Sequence, residues 1–67
     1  MQNINVQASI IEATAQGDEA DTERLTELVI EELEARYPDA RITVEEADST
    51  LSDDEFAPIM AAALAKF

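Results

Sequence analysis

Residues 25–44, LTELVIEELEARYPDARITV, change hydrophobic period partway along, and that change decides the fold. Leu25, Leu28, Val29, Leu33 and Tyr37 recur every three or four residues, the spacing of one buried helical stripe. Tyr37-Pro38-Asp39 ends that helix, because the residue before a proline is pushed out of the helical region. From Arg41 to Glu46 the period falls to two, with Ile42 and Val44 inward and Arg41, Thr43 and Glu45 outward. Helix, proline turn and strand follow one another within about twenty residues.

Upstream of this stretch, Gly17 to Asp21 is a polar break holding the only glycine, and Asp21 or Thr22 is expected to cap the helix that runs to about Arg36. Before the break, Ile4, Val6, Ala8 and Ile10 alternate with Asn5, Gln7 and Ser9, which predicts a half-buried strand within Met1–Ala15. The competing reading is a helix capped by Asn5, with Val6, Ile10 and Ala13 on one face and Gly17 as its stop. The alternation of β-branched residues favours the strand.

Downstream, Ala47 to Leu51 reads as a polar connection, and then the strongest local signature begins. Ser52 and Glu55 form a capping box, and Leu51 and Phe56 occupy the flanking staple positions. Asp53 and Asp54 place negative charge where the helix dipole is positive. Phe56, Ile59, Met60, Ala63, Leu64 and Phe67 make one apolar stripe; Pro58, on the opposite face, is expected to kink or delay the helix.

The expected order is β-α-β-α, a small α+β or α/β domain occupying residues 1–67. Its strands are expected parallel through a right-handed crossover, with two helices on one face of a short sheet. Domains of this size bury only about 60% of the surface their unfolded chain exposes, and a sheet of two strands has two open edges. Self-association as a twofold homodimer is the expected remedy.

Composition narrows the chemistry. The chain has no cysteine and no histidine, which removes thiolate metal sites, disulfides and the usual general base. Asp and Glu number 16 against 4 Lys and Arg, for a net charge of −12. That balance disfavours nucleic acid and anionic membranes as direct ligands. No apolar run reaches the length of a bilayer span and no secretory leader is legible at the N-terminus, so a cytoplasmic protein is expected. Disorder is a natural alternative for an acidic chain, but 46% of the residues are apolar and they are patterned.

Carboxylates are adjacent in Glu31-Glu32, Glu45-Glu46 and Asp53-Asp54-Glu55, yet acid–base catalysis needs one of a pair held in a pocket that separates its pKa from its partner's. Their positions on solvent faces or at a helix start argue for a solvated surface. Asp48 to Glu55 is rich in oxygen ligands but lacks the glycine turn and spacing of a calcium loop, and capping accounts for Ser52 to Glu55. No catalytic, cofactor or metal site is expected, and the chain is read as a non-enzymatic binding protein.

Glu23, Glu27, Glu31 and Glu34 fall on one face of the long helix, four, four and three residues apart. Like charges at that spacing repel, by about 0.2–0.5 kcal/mol per pair. Such a row can imitate phosphates along a nucleic-acid strand, fitting the Lys/Arg groove of a basic, nucleic-acid-binding partner. Glu45 and Glu46 are candidates to extend it, with Glu12, Asp18, Glu19 and Asp39 further afield. Inhibitors of this physical type occur among phage and mobile-element proteins, including anti-restriction and anti-CRISPR proteins. An acidic surface kept only for solubility is the bland alternative. The other functional class is an assembly module that docks or oligomerises through the apolar last helix.

The segment from Leu25 to Val44, a helix ending in Tyr37-Pro38 before Ile42-Thr43-Val44, resembles the DinI-like family. The resemblance implies a small βαβα fold and modulation of the RecA recombinase through an acidic helix. In that family the acidic helix is the C-terminal one, whereas here the last helix is mostly alanine and apolar beyond its cap.

Overall fold

The computed structural model describes residues 2–67, so Met1, the start of the expected strand, lies outside the described residues. Five elements follow in order: β1 (Gln2–Gln7), α1 (Ala8–Thr14), α2 (Glu19–Arg36), β2 (Ala40–Glu45) and α3 (Asp53–Lys66). The two strands pair in parallel with Ile4 opposite Ile42 and Val6 opposite Val44, giving a small α+β domain. To the expected β-α-β-α order the structure adds one short helix, α1, directly after the first strand. Both readings of the N-terminus contribute, since strand passes into helix at Gln7–Ala8 with no intervening loop. Adjacent Ile10 and Ile11 break the alternation, and burial at Ile11 and Ala15, four residues apart, follows the helical period instead.

The turn between α1 and α2 places Gln16 and Gly17 at φ 58° and 76°. Two successive left-handed residues reverse the chain, a conformation glycine adopts without steric cost. A side chain at position 17 would meet no neighbour, so the requirement there is conformational. The α2 cap is Asp18, not Asp21 or Thr22: its carboxylate accepts the Asp21 N–H at 2.9 Å. Both halves of the Ser52–Glu55 capping box are formed, and α3 runs unbroken through Pro58 from Asp53 onward, so the proline does not delay it.

One core holds the elements together. Ile4 and Val6 of β1, Ile11 of α1, Leu25, Val29 and Leu33 of α2, and Phe56, Ile59 and Ala63 of α3 are buried in it. The expected staple residues Leu51 and Phe56 are both buried. Leu28, Tyr37, Ile42, Val44 and Met60 pack against the core but remain partly exposed.

The connection after β2 does more than span a gap. It returns along the outer edge of β1, where Asn5 N–H donates to Thr50 Oγ1 (2.9 Å), Thr50 N–H donates to Asn5 O (2.9 Å), and Gln7 N–H donates to Ser49 Oγ (3.1 Å). The Asn5 amide donates to the carbonyls of Ala47 (3.0 Å) and Asp48 (3.3 Å) and accepts from Thr43 Oγ1 (2.9 Å). Of the two open edges expected from the sequence, that of β1 is therefore closed. Replacing Asn5 by alanine removes the side-chain half of this network. Each net hydrogen bond contributes about 0.5–1.5 kcal/mol, and these are solvent-accessible. We expect Asn5→Ala to cost about 1–2 kcal/mol and lower the Tm by roughly 5–15 °C in circular dichroism melts.

Candidate acidic interface

Of the 16 carboxylate side chains, every one except Glu32 is exposed. Acidity is thus a property of the surface, with no carboxylate enclosed in a pocket. Glu23, Glu27, Glu31 and Glu34 all lie on the face of α2 opposite Leu25, Val29 and Leu33. At ~1.5 Å per residue the row from Glu23 to Glu34 is about 16 Å long, or roughly one charge per 5.5 Å. A single DNA strand carries one charge per ~3.4 Å, so the row is the sparser of the two. None of the four carboxylates makes an ion pair or a side-chain hydrogen bond among the described residues.

Two of the four cations, Lys66 and Arg36, are directed to Glu32. Lys66 Nζ reaches Glu32 Oε1 at 2.6 Å, joining α3 to α2, and Arg36 Nε lies 3.7 Å from Glu32 Oε2. Arg36 is an i,i+4 neighbour on the same helix; the closer partner, Lys66, comes from 34 residues away and has no local signal. The Lys66 hydrogen bond, with the charges of Lys66 and Arg36, holds the Glu32 carboxyl below its ordinary value of 4.5 against the opposing effect of burial. Glu32 in turn raises the Lys66 ammonium above 10.5.

A lowered carboxyl stabilises the fold above its ordinary pKa, and that contribution is lost as pH falls through the lowered value. A raised ammonium stabilises below its ordinary pKa and loses its contribution as pH rises through the raised value. The pair therefore contributes between about pH 4.5 and 10.5. Glu32→Gln is expected to lower the Tm at pH 7, with the difference from the parent protein vanishing once pH falls below the lowered Glu32 value. Melts across pH 2–8 check this.

A shallow depression of ≈ 360 Å³ on α2 is lined by Arg24, Glu27, Leu28, Ile30 and Glu31. All five belong to one helix, so the hollow is open and enclosed by no second element. It sets half-buried Leu28 and Ile30 beside two carboxylates of the row, the apolar-centre, polar-rim composition of protein interfaces. Sequence reasoning placed Leu28 in the buried stripe and did not single out Ile30.

Glu45 and Glu46 are exposed but not part of this face. Glu45 projects on the same side of β2 as Arg41 and Thr43, away from Ile42 and Val44, while the row points outward from the opposite side of the core. The apolar stripe of α3 is largely consumed in the core; Leu64 (45%) and Phe67 (40%) are its exposed large residues. Among the described residues no group of three or more potential metal ligands is found, and no helix is long and apolar enough to cross a membrane. No family model, curated protein or solved structure matches the chain.

Proposed function

We propose that this protein binds and modulates a basic, nucleic-acid-binding protein, presenting the α2 row as a substitute for phosphates. The observation that carries the reading is the unneutralised row itself: Glu23, Glu27, Glu31 and Glu34 stand exposed along α2 while Lys66 and Arg36 are both spent on Glu32. Salt bridges along the helix would relieve the repulsion, yet none forms with these four, although Arg24 lies three residues from Glu27. Leu28 and Ile30 beside the row give a bound partner apolar surface to cover, which charge alone would not. The reading calls for no catalysis and no cofactor, and it fits an inhibitor of the anti-restriction or anti-CRISPR kind on physical grounds only.

Competition with nucleic acid tests it. The immobilised protein is exposed to host lysate at low salt, and captured proteins are challenged with duplex DNA. Mimicry expects basic proteins that duplex DNA releases. Captured proteins that resist duplex DNA in excess contradict the proposal.

A further inference from the structure

We infer that the outer edge of β2 pairs with the same edge of a second copy of this chain, antiparallel and centred on Thr43, making a four-stranded sheet of order β1-β2-β2-β1. The hydrogen-bond directions come first. Asn5 and Gln7 turn their N–H groups to Thr50 and Ser49, so Ile4 and Val6 turn theirs to β2. In the parallel ladder Arg41, Thr43 and Glu45 then face β1, and Ile42 and Val44 direct their N–H and C=O groups outward. The Ala40 N–H is already bonded to Tyr37 O. Nothing among the described residues covers Ile42 and Val44 as Ser49 and Thr50 cover β1.

Side-chain burial points to the same edge. Ile4 and Val6 are sealed, at 0% and 1% exposure, while their partners Ile42 and Val44 on β2 remain partly exposed. An open edge with β-branched side chains is a template for another strand.

Charge selects both the occupant and the register. With Thr43 opposite Thr43 of the second copy, Ile42 faces Val44 at the hydrogen-bonded positions and Arg41 faces Glu45 at the closer, non-hydrogen-bonded ones. The pairing occurs twice by symmetry. Sliding the strands two residues one way sets Asp39 against Glu45; sliding them the other way leaves Arg41 opposite Ala47. Arg41 has no ion-pair partner among the described residues of its own chain, so the pairing gives it one. Because both copies present the same face of the strand, their helices lie on one side of the joined sheet, and no residue of the α2 row takes part.

Sedimentation equilibrium of the full chain at about 0.15 M salt, with charge-exchange variants, tests the register. Arg41→Glu and Glu45→Arg should each weaken the dimer about tenfold or more, and the Arg41→Glu, Glu45→Arg double variant should restore it. Glu45→Arg decides most, because it lowers net charge from −12 to −10 and general repulsion alone would tighten the dimer. Both residues are exposed, so circular dichroism should show unchanged folding.

Thr43→Cys gives an independent measurement. Facing residues at such a position have Cα atoms about 4.5 Å apart, within disulfide range, and the chain has no other cysteine. It should cross-link on mild oxidation while Asp48→Cys does not. A monomer at all concentrations, a dimer unaffected by Glu45→Arg, or cross-linking no better at position 43 than at 48 overturns the pairing.

Discussion

Leu33→Ala is expected to leave the domain largely unfolded at 37 °C. Leu33 is completely buried and sits in the one core found among the described residues, with Leu25, Val29, Phe56 and Ile59. Leucine-to-alanine changes at such sites cost about 2–5 kcal/mol, part lost transfer energy and part the cavity left behind. Native stability of about 0.05–0.15 kcal/mol per residue gives a 67-residue domain roughly 3–10 kcal/mol in total. The substitution thus removes a large fraction of it, and thermal melts should show the Tm falling by at least about 10 °C. Leu64→Ala on α3 serves as the control, because Leu64 is 45% exposed and its truncation should shift the Tm little.

The second large effect concerns the row. Glu27→Lys together with Glu31→Lys is expected to abolish capture of the basic partner, a loss of at least about a hundredfold in affinity. Both positions are exposed and neither carboxylate makes an ion pair or side-chain hydrogen bond within the fold, so the variant should stay folded. Undiminished capture by a folded double variant would place the interface elsewhere.

The elements that the sequence specified locally were legible in it. The stripe Leu25, Val29, Leu33 and the stop at Tyr37-Pro38 define α2 from within, and Ser52 with Glu55 announces α3. The alternation of Ile42 and Val44 marks β2. What escaped was set by contacts distant in the chain or by competition between two periods. The first strand and α1 share the run Ile4–Ile11, and where one period yields to the other is decided by packing of Ile11 and Ala15 in the core. Ser49 and Thr50 look like ordinary loop residues until the fold brings them to β1, more than 40 residues earlier. Lys66 and Glu32 meet only because α3 packs on α2.

The same division holds for the candidate interface. Helical periodicity alone places Glu23, Glu27, Glu31 and Glu34 on one side of α2. The contribution of Leu28 and Ile30 needed the packed helix to show how much of each is left uncovered, and the separation of Glu45 from the row needed the position of the sheet. Net charge could distinguish neither.

The central claim is that position, not total charge, makes the acidic surface a ligand. Its most direct test compares two variants of equal charge, each changed from −12 to −8 by four isosteric substitutions. One carries Glu23→Gln, Glu27→Gln, Glu31→Gln and Glu34→Gln; the other carries Glu46→Gln, Asp48→Asn, Asp53→Asn and Asp54→Asn, all exposed and off the row. Affinity for a DNA-releasable captured protein is measured for each at the same salt concentration. We expect the α2 variant to bind at least about tenfold more weakly than the control variant, which should stay close to the parent. Equal losses in the two would contradict the account and reduce the row to a solvated surface.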